Sequence, residues 1–248
     1  MKSKKPLIRI FFIFSLYFCF NTTLGQGNDV QSLYNSFDTI ITKENLPINN
    51  GTLHINYDRT TNNENRYYHS DQYLKGMANY NNQNYYDLKL KYDIYKDVLI
   101  LNLHQDSGKM GVNLTKEKTA FFIINGKKFI NLSMNTKLPI SFYSGFYEEN
   151  FVGKTFTFYI KHRKEAKETT ENKFVGINYI LKKDFVLLYK NEFIKINSKR
   201  DLTVLFPDYK TKIDDFYHAN RILESENETQ FMENLMRNLN SFLTIESN

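Results

Sequence analysis

From Gly51 the chain alternates apolar and polar positions with period two, and from Ser198 the apolar positions recur at helical spacing. "GTLHINYDR" sets Leu53, Ile55 and Tyr57 against polar partners, as a half-buried strand does. "YLKGMANY" reads as a strand, "NNQ" as a tight turn, and residues 84–92 as the partner strand. In that partner Tyr86, Leu88, Leu90 and Tyr92 share one face, and Asp87, Lys89 and Lys91 the other. The next strand runs from Val98 to Leu103. "AFFIINGKKFINL" is the clearest hairpin, because Asn125-Gly126 supplies the two positive-φ residues of a type I′ turn. "FYSGFYEEN" and "KTFTFYIKHR" are further strands, "KEAKETTENK" a polar loop, and "FVGINYIL", "FVLLY" and "FIKIN" strands separated by "KKD" and "KNE" turns. Such short connections build antiparallel neighbours, since a parallel crossover needs a dozen residues or more.

Ser198 followed by Asp201 marks a helix start, and Pro207 breaks or restarts that helix. Tyr209, Ile213, Phe216 and Tyr217 then form one apolar stripe. Ser225 and Glu228 have capping-box spacing, and Phe231, Leu235, Leu239 and Phe242 line one face of a last helix. The expected fold class is α+β, mostly β: an antiparallel sheet, sandwich or partly closed barrel with C-terminal helices. Its parts are a signal peptide (1–25), an N-terminal leader (26–50), a β domain (51–197) and a helical segment (198–248) packed on it.

The N-terminal reading changes the charge argument. Lys2, Lys4, Lys5 and Arg9 precede an apolar run over residues 10–20 and then small or polar residues, the form of a secretory signal cut between Gly25 and Gln26. Its removal leaves 29 basic against 27 acidic residues, a net of +2, from a chain of formal charge +6. Nucleic acid loses its main support as a partner, because phosphate binding needs clustered positive charge. Cys19, the single cysteine, leaves with the signal. The mature chain then has no disulfide and depends on a hydrophobic core. No apolar run of 18 or more follows, so no transmembrane segment is expected after signal removal.

The segments "KGMANYNNQNYYDLKLKYDIYKDVLIL", "AFFIINGKKFINL", "GFYEENFVGKTFTFYIKHRKE" and "FVLLYKNEFIKINSKRDLTVLFPDYKTKIDDFYHAN", in this order, resemble a family of uncharacterised exported proteins of Bacteroidetes bacteria. The likeness covers roughly residues 51–220. The chain departs from the family pattern at Asn81-Asn82-Gln83, where Asn-Gly-Gln is preferred. The resemblance implies an extracytoplasmic, periplasmic or secreted location, and it lends no activity, cofactor or catalytic residues.

Candidate chemistry is sparse. "FVGKTF" lacks the upstream glycine of a phosphate-binding loop, position 148 being Glu. His54, His69, His104, His162 and His218 form no close metal-ligand pair. His69-Ser70-Asp71 has triad residue types, but adjacent side chains of an extended chain point apart. Glu148-Glu149 and Asp214-Asp215 are paired carboxylates that read as solvated charges. No cofactor and no metal is expected. Tyr80, Tyr85 and Tyr95, with Asp93 and Asp97 at the corner between two strands, are the candidate binding residues for a glycan or peptide. Against that stands a plainer role, with the tyrosines supporting the sheet and the aspartates bonding to turn N–H groups. The functional expectation is therefore a non-catalytic exported envelope protein of structural or interaction type. The alternatives are a glycan- or peptide-binding module and a hydrolase of unrecognised type; the partner would be an envelope protein or glycan.

Overall fold

A computed structural model describes residues 30–36, 46–60, 65–103, 110–135, 144–171 and 174–245. The expected signal segment with its expected Gly25–Gln26 cut, and His104, lie outside the described residues. Residues 30–36 are helical and belong to a unit (residues 1–46) separate from the compact unit Pro47–Asn248. All that follows concerns the latter.

Eleven strands form one antiparallel sheet: β1 (Thr52–Leu53), β2 (Leu74–Tyr80), β3 (Gln83–Asp93), β4 (Val98–Asn102), β5 (Gly111–Asn113), β6 (Thr119–Ile124), β7 (Lys127–Asn131), β8 (Phe146–Val152), β9 (Phe156–Glu171), β10 (Phe174–Tyr189) and β11 (Glu192–Ile196). The spatial order is β1-β5-β4-β3-β2-β6-β7-β8-β9-β10-β11, with β1 and β11 as edges, so the sheet is not closed into a barrel. Isolated bridges Tyr67↔Asp93 and Thr60↔Ile177 tie the connecting chain to both β3 and β10.

Turn chemistry explains the hairpins. Asn125 and Gly126 have φ of 52° and 71°, the two positive values of a type I′ turn. Asn81 and Asn82 take the same pair of conformations, φ 50° and 63°. Asn tolerates this region better than most residues, which is why Asn can stand where glycine is preferred.

Several expectations are corrected. The "KKD" turn does not form, and residues 164–171 of "KEAKETTENK" are strand: β9 and β10 pair from Phe156↔Tyr189 to Glu171↔Phe174. The charges satisfy each other across strands, Arg163 Nε and Lys195 Nζ both donating to Asp184 at 2.8 and 2.6 Å. In β3 the alternation breaks at a bulge between the pairs Gly76↔Leu88 and Ala78↔Tyr85, with Asp87 at φ 54°. One extra residue flips every side chain beyond it, so Tyr85 joins Leu90 and Tyr92 inside, and Tyr86 does not. Leu53, Ile55 and Tyr57 are exposed, Tyr57 by 85%. The inward position of that edge goes to His54, whose ring nitrogens bond Asn113 Oδ1 (2.9 Å) and Tyr67 OH (3.0 Å).

The core has two contrasting parts. Near the middle of the sheet, Phe122 stacks on Phe129 at 4.9 Å, and Tyr92 meets both edge-on at 5.1 and 5.2 Å. Toward β11, the helices α1 (Lys199–Leu205), α2 (Lys210–Ala219), α3 (Arg221–Glu226) and α4 (Glu228–Ile245) cover the sheet. Phe156, Phe158, Ile160, Phe185 and Leu187 pack there against Leu202, Ile213, Phe231, Leu235 and Leu239. The Asp201 carboxylate accepts the Ser198 N–H at 2.9 Å, the expected helix start. The Ser225–Glu228 box does not form; Asn227 Oδ1 accepts the Gln230 N–H instead.

Candidate functional site

The β3–β4 corner carries the densest set of ionisable groups brought together from separate elements. Asp93 ends β3 and is 1% exposed. One of its oxygens accepts the N–H groups of Tyr95 (3.1 Å) and Lys96 (2.9 Å), fixing the turn. The other accepts Arg66 Nε at 2.7 Å. Burial raises the Asp93 pKa, against the pull of these donors and of Arg66. Arg66 Nη1 also meets Asp58 Oδ2 at 2.7 Å, and the same oxygen accepts the Tyr179 hydroxyl at 2.6 Å. Tyr95 lies edge-on to Tyr179 at 5.1 Å, with the Arg66 guanidinium 5.4 Å from its ring centre.

Asp97 closes the turn at φ 56°. Its carboxylate takes the Tyr92 hydroxyl (2.6 Å), Lys161 Nζ (2.9 Å) and Lys116 Nζ (2.8 Å). Burial works to raise its pKa, and Lys161 and Lys116 outweigh it, so the group titrates below its usual range. Burial in turn lowers Lys161, with Asp97 opposing. Lys161 spends its remaining donors on the carbonyls of Ser144 (3.1 Å) and Phe146 (3.0 Å). Gly145, at φ 97°, backs directly onto the Asp97 carboxylate; a side chain there would collide with it.

A second buried pair lies on β8 and β9. Glu148 Oε2 is 2.7 Å from His162 Nε2, while Oε1 takes Asn150 Nδ2 (2.8 Å) and Lys127 Nζ (3.0 Å). Burial would raise Glu148; the hydrogen bond and charge of His162 and the other donors bring it down to about 2. Tyr68 and Phe129 flank the imidazole at 5.0 and 5.9 Å.

The candidate binding residues are therefore divided. Tyr80 and Tyr85 are inside the core, Asp93 and Asp97 are engaged in the corner, and Tyr95 is 43% exposed. The three tyrosines are not assembled into one surface. Arg66, Asp58, Lys161, Lys116 and Tyr179, which complete the corner from other elements, carry no local signal in the sequence. Glu148 and Glu149 point to opposite faces, Glu148 to His162 and Glu149 to Lys128 at 2.7 Å. His69 and Asp71 diverge as well: His69 packs on Tyr68, and Asp71 bonds Lys91 at 2.5 Å. Among the described residues no group of three or more His, Cys, Asp or Glu is placed to hold a metal ion. No described helix is long and apolar enough to cross a membrane. Comparison with family models, with curated proteins and with solved structures finds no match to this chain.

Proposed function

We propose that this is a non-catalytic exported protein of the cell envelope, with a structural or interaction role. One observation carries the non-catalytic part: Asp93, Asp97, Glu148, Arg66 and Lys161 are committed to one another or to neighbouring donors in the interior. A general acid or base must reach a substrate proton, and these groups are occupied in holding the corner or, for Glu148, in the pair with His162. Export rests on the basic start and apolar run of residues 1–25.

Expression of the full chain in a Gram-negative bacterium, followed by fractionation and N-terminal sequencing, tests export. The expected product lies outside the cytoplasm and begins at Gln26; an unprocessed cytoplasmic chain overturns the reading. The non-catalytic part fails if the purified protein hydrolyses a glycoside, ester or peptide and Glu148→Gln or His162→Gln abolishes that turnover while the protein stays folded.

A further inference from the structure

A pocket of about 390 Å³ opens where α3 and α4 meet the end of β11. Its floor is apolar, made by Phe185, Ile196, Phe231 and Met232, all of them buried members of the helical core. Its rim carries Tyr217, Glu224 and Glu228. Burial first, and then the carboxylates of Glu224, Glu228 and Asp201, push the Tyr217 phenol up to about 12. Several negative charges thus bear on one hydroxyl at the pocket mouth.

The nearby cations are already engaged. Lys199 Nζ, which also lines the pocket, lies 2.7 Å from Asp214. Lys183 donates to Thr229 Oγ1 at 2.5 Å. Asp201 is spent on the start of α1. Among the described residues Glu224 and Glu228 have no ion-pair partner. Each lies in the first turn of a helix, where a carboxylate is favoured by the helix dipole. That accounts for their local stability, and the apolar floor beneath them is helical core that the pocket leaves open.

We propose that this pocket receives a basic side chain, lysine or arginine, presented by a partner polypeptide. The apolar stem of such a side chain fits the Phe185–Phe231–Met232 floor, while its cationic head stays at the mouth between Glu224 and Glu228. The Tyr217 ring beside them already has Lys199 Nζ 5.6 Å from its centre and meets Phe231 edge-on at 4.8 Å, so it serves as pocket wall and the carboxylates alone hold the incoming head. The volume is at the small end for ligand pockets, roughly 300–1,000 Å³, which suits one side chain rather than a helix or a folded surface. The proposal deepens the interaction reading and rests on it for the partner being a polypeptide. Its test uses purified protein and is independent of export.

The test is an NMR titration of the protein with acetyl-Gly-Lys-Gly-amide, and with the same peptide carrying arginine, norleucine or glutamate in place of lysine. The lysine or arginine peptide is expected to shift the methyl signals of Ile196 and Met232, with norleucine weaker and glutamate silent. The double variant E224Q/E228Q should weaken binding about 5-fold or more, as expected for two part-exposed ion pairs. Raised salt should weaken it too. An unchanged amide spectrum away from α3 and α4 establishes that the variant is folded. Two results overturn the proposal: norleucine binding as tightly as lysine, or basic peptides that leave the Ile196 and Met232 methyls unmoved.

Discussion

The helical base and the β3–β4 corner solve the same problem with different materials. At the base, Phe156, Phe158, Phe185, Phe231 and Leu235 bury apolar surface against one another, and the charged residues stay outside. At the corner, Asp93, Arg66 and Lys161 are as deeply buried as those phenylalanines, and the Asp97 side chain that joins them is 16% exposed. Apolar burial is favourable at about 25 cal/mol per Å² whatever the orientation of the partner. A buried charge gains only where its counter-charge and remaining hydrogen bonds are placed correctly, and its desolvation can cancel the gain. The base is therefore a source of stability. The corner is a specification: it admits one arrangement of the turn, of Lys161 on β9 and of Arg66 in the connecting chain.

The comparison predicts different responses to mutation. Phe158→Ala at the base should cost about 3–5 kcal/mol, from lost transfer energy and the cavity left behind, read as a lower urea midpoint with an unchanged slope. Asp97→Asn keeps an acceptor for Tyr92 but leaves Lys161, 4% exposed, without its counter-charge. That should cost about 3 kcal/mol or more. The two regions separate in the second step. Lys161→Met added to Asp97→Asn should recover most of the loss, since it removes the buried charge that the first change leaves unpaired. A double variant no better than Asp97→Asn alone would show that the corner is a net source of stability after all.

The base was far more legible in the sequence than the corner, and the reason is range. Tyr209, Ile213, Phe231, Leu235 and Leu239 repeat at helical spacing, and a local period is enough to place them on the core side. Asn125-Gly126 announced its turn because few residue pairs accept two positive φ values. The corner joins residues 27 positions apart (Arg66 to Asp93) and 121 apart (Tyr179 to Asp58), and no local pattern records such pairs. The Tyr86–Asp87 bulge was equally silent, since one extra residue leaves the composition of the strand unchanged while reversing its faces. Lys182-Lys183-Asp184 misled in the opposite direction. A polar triplet resembles a turn until Arg163 and Lys195 are seen to neutralise Asp184 from the strands on either side.

Acid should act on the buried ion pairs before it touches the base. The Glu148 pKa is brought from 4.5 to about 2 in the folded protein. A carboxyl depressed on folding contributes stability that is fully present above about pH 4.5 and is lost as pH falls through about 2. Asp97, Asp58 and Asp184 are lowered too and act with the same sign. Asp93, raised by burial, opposes them, its contribution being greatest at low pH. For Glu148 alone the loss is of order 3 kcal/mol. Chemical denaturation between pH 6 and pH 2 should show that slope, and Glu148→Gln should remove part of it. A variant with the wild-type slope would place the acid sensitivity elsewhere.

The smallest expected effect is the sharpest control, because it holds the chemistry of the interaction fixed and changes only burial. Lys128 Nζ and Glu149 Oε2 make a 2.7 Å ion pair between β7 and β8. Each residue is the immediate chain neighbour of one that serves the buried pair, Lys127 and Glu148. Alternation along a strand sends neighbours to opposite faces, so the two lysine–glutamate contacts share strands and charge types. They differ in exposure: the Glu149 side chain is 19% exposed and Glu148 2%. Lys128→Ala should cost under about 1 kcal/mol, and less in high salt, because solvent screens a part-exposed pair. If it cost as much as Asp97→Asn, burial would not be what separates the corner from an ordinary surface pair, and the distinction between base and corner would have to rest on geometry alone.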